Sequence, residues 1–200
     1  MRLPSPVGGV TTDSVGLFNC EATSLATWLI GELNLGVAPQ PVKTLSEVLK
    51  WLEVSTVRDR YVLVPLGAWS ALLTNGPTGT DVGVLPSHAA RGLGCPALRA
   101  VAAEGSHPAT ILELFQPDGI PPLLLRRSIA SADDGGRWIF EEAGEQLPFE
   151  DPSAYRRPRK SERFTPEILS EYLVALGIPE VSDQTWTQVI ALEAIRKVPR

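Results

Sequence analysis

The stretch Leu123-Leu124-Leu125-Arg126-Arg127-Ser128-Ile129, followed by the turn Asp133-Asp134-Gly135-Gly136 and by Arg137-Trp138-Ile139-Phe140, decides the fold class. Two runs of apolar and β-forming residues flank a pair of glycines, and glycine reaches the positive φ of a tight hairpin at no steric cost. The spacing predicts an antiparallel hairpin. Upstream, Ala97 to Ala103 and Thr110 to Phe115 are further runs of strand type, so the centre of the chain reads as a β meander. Earlier still, Tyr61-Val62-Leu63-Val64 is too short for a helix, and Pro65 points to an edge or a strand end. Trp69 to Thr74 is its expected partner, and Val82 to Leu85 a short strand beyond the turn Asn75-Gly76-Pro77-Thr78-Gly79-Thr80-Asp81.

Helical periodicity brackets this meander. Ala22, Leu25, Ala26, Leu29 and Leu33 recur at helical spacing, which predicts a helix over 20–33 with Asn19 as N-cap. Thr44-Leu45-Ser46-Glu47 carries a capping box, with Leu45, Val48, Leu49 and Leu52 as the stripe. Ser87 is expected to cap a short helix through Arg91 and Leu93 that Gly94 closes. Thr165 and Pro166 open a helix carrying Ile168, Leu169, Tyr172, Leu173 and Leu176, with Gly177 at its end. Asp183 is the expected cap of a last helix with Trp186, Val189, Ile190 and Ile195. Residues 1–18, rich in Pro, Gly, Thr and Ser, read as a loosely ordered arm whose end, Val15, Leu17 and Phe18, docks.

The expected architecture is one α+β domain over 19–200, with a mostly antiparallel central sheet, an N-terminal helical layer and a C-terminal helix pair. Its parts are helical over 19–54, a β meander over 60–150, a basic linker over 151–164 and helical over 165–197. No internal repeat is seen.

Composition narrows the function. Of 200 residues, 44% are hydrophobic and 20% charged, the balance of a globular chain that buries roughly 70% of its unfolded surface. Lys and Arg number 18 against 23 Asp and Glu, a net charge of −5 that disfavours a nucleic-acid partner. No run of apolar residues reaches the roughly 18 that a membrane span needs, and the start of the chain has no signal-peptide pattern. Two isolated cysteines, Cys20 and Cys95, suit a reducing compartment, so the expected setting is cytoplasmic.

Candidate chemistry is sparse. Cys20, expected at a helix N-terminus where the dipole favours a thiolate, is a candidate nucleophile, with His107 as base and Asp81 as orienter. The other reading is a packing cysteine. The turn with Asn75, Gly76, Thr78, Gly79 and Asp81 is a candidate ligand loop, but the Lys-Ser/Thr of a phosphate loop is missing, so a plain structural turn is the alternative. Glu141, Glu142, Glu145 and Glu150 offer carboxylates for a cation or for acid/base work, against the reading of a solvated hairpin face. Two Cys and two His, all far apart, do not make a metal centre, and no cofactor is expected.

The basic segment Tyr155, Arg156, Arg157, Arg159, Lys160 and Arg163 follows closely on those carboxylates and is the candidate partner-binding element, against the reading of a solvated linker pairing with nearby glutamates. Segregated acidic and basic segments on a small acidic chain suit electrostatically steered protein association. The expected function is a non-enzymatic cytoplasmic protein-binding or inhibitory module. Size, acidity and sparse motifs give it the general profile of bacterial toxin-neutralising immunity proteins, a likeness of composition and not of residues. The alternative is a small thiol-dependent hydrolase or transferase using Cys20 and His107. Another protein is the expected partner, with a small ligand at the Asn75–Asp81 turn as a weaker option.

Overall fold

The computed structural model describes residues 13–38, 44–53, 55, 57–75, 81–179 and 188–195. In chain order the elements are β1 (Ser14–Phe18), α1 (Ala22–Leu33), β2 (Gly36–Val37), α2 (Leu45–Trp51), β3 (Arg58–Leu66), β4 (Trp69–Thr74) and α3 (Leu85–Gly92). They continue with β5 (Ala97–Ala103), β6 (Ala109–Ile120), β7 (Leu125–Asp134), β8 (Arg137–Gly144), α4 (Pro166–Ala175) and β9 (Ile190–Ile195). The strands form one nine-stranded sheet, ordered β2-β9-β3-β4-β1-β5-β6-β7-β8, in which the paired strands are antiparallel. The fold is α+β.

The hairpin that marks the fold in the sequence forms as its residues dictate. β7 and β8 pair from Arg127 with Gly144 out to Asp134 with Arg137. Gly135 and Gly136 sit at φ 63° and 89°, the two left-handed positions of a two-residue hairpin turn. The Asp133 carboxylate accepts the Gly136 N–H at 2.8 Å and closes the turn.

Alternation along the strands divides the core between two faces. On one, Leu17, Val64, Leu98, Leu112 and Ile129 pack with Val48 and Leu52 of the α2 region and with Leu169, Tyr172 and Leu173 of α4. On the other, Phe18, Leu63, Leu72, Ala97 and Leu192 pack with Leu25 and Leu29 of α1 and with Ala89 and Ala90 of α3. The N-terminal helices therefore do not form one layer. After α1 the strand β2 pairs with β9 at the edge of the sheet, and α2 lies on the face opposite α1.

Two further expectations are corrected. Residues 14–18 are not the end of an arm: all five are buried, in a strand held between β4 and β5. The predicted last helix is replaced over 190–195 by β9, whose register sets Leu192 against Tyr61 and Ala191 against Val62. Val-Ile-Ala-Leu satisfies both periods over so short a run, and the open side of β3 decides between them. Asp183 and Trp186 lie outside the described residues. β9 stops at Leu63, so Pro65, which has no N–H to donate, sits where no β9 residue pairs with β3.

Cap expectations divide. The Thr44–Glu47 capping box is present, and the Thr165 hydroxyl accepts the Ile168 N–H with Pro166 opening α4. Asn19 does not cap α1; its N–H donates to the Pro96 carbonyl, and the helix starts at Ala22. Val82 to Leu85 is not a strand, because Gly83 at φ 55° turns the chain directly into α3, which starts at Leu85 ahead of Ser87.

Candidate functional site

The most developed polar cluster surrounds Arg127. Period-two alternation from Ile129 places Arg127 on the α4 face of β7, and its side chain is only 2% exposed. Glu150, from the loop after β8, has a fully buried side chain and grips the guanidinium with both oxygens, at 2.9 Å from Nε and 2.6 Å from Nη2. Nη2 also meets Glu142, and Nη1 donates to the Ala143 and Gly144 carbonyls at 3.3 Å each. All five donors of the guanidinium are thereby used.

A hydroxyl relay extends the cluster. The Tyr155 hydroxyl donates to Glu150 at 2.9 Å and lies 3.0 Å from the Tyr172 hydroxyl, which accepts the Asp151 N–H at 2.9 Å. Burial opposes the charge on Arg127, but the Glu150 and Glu142 carboxylates outweigh it and hold the guanidinium more firmly protonated than usual. Burial, Tyr172 and Glu150 push the Tyr155 hydroxyl well above the ordinary phenol value. These contacts tie β7, β8, the 147–155 loop and α4 together.

A second cluster lies on the other face. Asp81 holds Arg99 through two contacts, 2.7 Å to Nε and 2.8 Å to Nη2, while Arg99 Nη1 meets Glu113 at 2.9 Å. Burial works against the Asp81 carboxylate, yet Arg99, the Gly83 N–H and the Ser14 hydroxyl together hold its carboxyl below the usual range. Asn75, almost fully buried, accepts the Arg60 N–H at 2.6 Å and donates to the Glu53 and Arg58 carbonyls at 3.2 Å each. It clips the end of the β3–β4 hairpin. Gly76, Thr78 and Gly79 of the candidate ligand turn lie outside the described residues.

The suggested thiol triad is not brought together. Cys20 follows β1 at the Ala97 end of β5, whereas the exposed His107 lies in the loop beyond the Ala103 end. The seven residues of β5 span about 20 Å at roughly 3.3 Å per residue. Asp81 is committed to Arg99, between the two. Among the described residues no group of three His, Cys, Asp or Glu side chains is placed to hold a metal ion.

The basic segment is a folded loop with two short 3-10 turns. Tyr155 is core, and Arg156 is exposed. Arg157 donates to the Glu162 carbonyl at 2.8 Å, Arg159 pairs with Glu162 at 3.2 Å, and Arg163 donates to the Arg157 carbonyl at 2.8 Å. The Arg163 guanidinium lies 5.6 Å from the centre of the Phe140 ring, and the Lys160 carbonyl accepts the Ser131 hydroxyl at 2.9 Å. The loop thus crosses the α4 face of β7 and β8. Sequence reading did not single out Arg127, Glu150 and Tyr172 as one unit; the signal was there in an arginine sharing the parity of Ile129.

On the opposite face α1 packs on β9, β3 and β4, and α3 on β1, β5 and β6. Ala130 and Ile139 of β7 and β8 are only half-buried there. No helix among the described residues is long and apolar enough to cross a membrane. Compared with known protein families, with curated proteins and with solved structures, the chain matches none.

Proposed function

We propose that the protein is a non-enzymatic binding module of the inhibitory kind, and that it receives its partner at the β8 end of the sheet. The observation that carries this reading is the position of β8: an eight-residue strand, last in the sheet, with no strand beyond it among the described residues. The outer edge of such a strand presents N–H and C=O groups to any extended chain that pairs with them. Its charges frame the approach. Glu141 and Asp134 are exposed near this edge, while the Arg156–Arg163 loop crosses the other face of the same two strands. An extended partner segment with basic side chains toward Glu141 and acidic ones toward Arg156 and Arg159 fits that frame, and the fields steer its encounter.

The separation of Cys20 from His107 supports this reading over the thiol-enzyme alternative. Two free thiols suit a cytoplasmic setting. The reading is tested by placing a photoreactive residue at Glu141 or, as control, at the exposed Glu171 of α4, and irradiating extracts of the producing cells. A discrete adduct with one protein from position 141 and not from 171 supports it. Equal labelling from both positions, or none from 141, contradicts it.

A further inference from the structure

Cys20 and Cys95 are remote in sequence and meet in the fold. The β1–β5 ladder runs in register to Phe18 against Ala97, and one step further the Asn19 N–H donates to the Pro96 carbonyl at 2.9 Å. Just past this last contact the Cys20 N–H turns back to the Phe18 carbonyl at 2.9 Å, and the same register carried one step outward sets Cys20 opposite Cys95. Facing residues of an antiparallel pair have Cα atoms roughly 4.5–5.5 Å apart, inside the range that a disulfide spans. The Ser70 hydroxyl fixes the Cys20 carbonyl at 2.7 Å, so the approach is held by neighbours on two sides.

The side chains meet as well as the backbones. The two thiols are close enough for each to shift the titration of the other, and both are free. Their surroundings differ: Cys20 is partly exposed and Cys95 is buried. The neighbouring Cys20 thiol outweighs burial and holds the Cys95 thiol below its usual value. The Cys95 thiol, with burial, pushes the Cys20 thiol up. An accessible thiol beside a shielded one is the arrangement in which the first meets a reagent and the second resolves the product.

We infer that Cys20 and Cys95 form a reactive dithiol that a small disulfide of the glutathione class converts into an intramolecular bridge. Cys20, the thiol that the reagent reaches, gives up its proton to solvent as it attacks one sulfur of the reagent; the reagent's S–S bond breaks and the small thiolate that leaves takes a proton from solvent. Cys95, as thiolate, then attacks the Cys20 sulfur of the mixed disulfide and expels the second small thiol. Two protein thiols are oxidised, and one small disulfide is reduced to two thiols. The bridge joins the start of α1 to the start of β5 and closes a loop that takes in α1 through α3. Such a closure restricts the unfolded chain and leaves the folded strand register in place.

The test uses the folded full-length chain, incubated with graded ratios of reduced to oxidised glutathione, quenched in acid, alkylated and mapped without reduction. A peptide linking Cys20 to Cys95 is expected in monomeric protein, together with a Tm higher by roughly 5–10 °C that dithiothreitol reverses. The Cys95→Ser variant is expected to stop at a lasting glutathione adduct on Cys20. Should that variant fail to fold, the time course of the wild-type chain serves instead, with an adduct on Cys20 that decays as the linked peptide appears. Two thiols that stay free, a lasting adduct on wild-type Cys20, linkage only between molecules, or a bridge that forms only in denaturant would each overturn the inference.

Discussion

Arg127 and Glu150 face each other as a two-pronged ion pair, at 2.9 and 2.6 Å, in an interior that leaves the arginine side chain 2% exposed and the glutamate fully buried. Removing one partner strands the other charge out of water, so Arg127→Met or Glu150→Leu alone is expected to cost about 3–5 kcal/mol in urea unfolding. The double variant Arg127→Met/Glu150→Leu leaves neither charge and is expected to lose less than the two single losses combined. Additive losses would show that the two side chains act independently.

The hydroxyls around this pair are unequal. Tyr155 donates directly to the buried Glu150 carboxylate, whereas Tyr172 accepts from the Asp151 N–H beside an exposed residue. A hydrogen bond to a charged group carries about 1.5–3 kcal/mol and a neutral one about 1 kcal/mol. Tyr155→Phe is therefore expected to lower stability more than Tyr172→Phe, with a coupling between them in a double-mutant cycle.

Much of this was legible in the sequence, and the failures have physical causes. The β7–β8 hairpin, the Thr44 capping box and the Thr165-Pro166 helix start are local signals, complete within a few residues, and the structure contains all three. β1 and β9 are not local. Ser14–Phe18 is short and carries Gly16, and only the flanking β4 and β5 make it a strand. Ile190–Ile195 becomes a strand because β3 offers it an open edge. The Arg127 cluster joins residues from four separate segments, and Cys20 approaches Cys95 just beyond the last β1–β5 pair, which composition and periodicity do not reveal.

Asp81 makes stability depend on pH in a defined direction. Its carboxyl titrates lower in the folded chain than the roughly 3.9 of an unfolded aspartate. The ion pair with Arg99 therefore contributes fully above that value, and the contribution disappears as pH falls through the folded value. Burial and the neighbouring Glu104 raise the pKa of Asp13, which acts in the opposite sense. Urea midpoints measured from pH 7 down to pH 2 are expected to fall less steeply for Asp81→Asn than for the wild type, both compared in an Asp13→Asn background. Parallel curves would remove Asp81 from the acid sensitivity.

Asn75 is the clip of the β3–β4 hairpin, with three bonds to backbone groups of Glu53, Arg58 and Arg60. Asn75→Ala leaves those groups without their side-chain partner and is expected to cost about 2–3 kcal/mol in thermal or urea unfolding. The Arg60 amide is expected to lose hydrogen-exchange protection at the same time. A variant as stable as the wild type, with that amide still protected, would show that the hairpin end is held by other groups.

Amide hydrogen exchange tests most directly whether the β8 edge receives the partner. The partner captured from position 141 is added to the native chain, and exchange is read residue by residue along β8 (Arg137–Gly144). If the partner pairs with the edge, the outward-facing amides of β8 exchange fast in the free protein and slow at least tenfold in the complex, while those of α4 do not change. Unchanged exchange along β8, with protection appearing elsewhere on the molecule, would contradict the account.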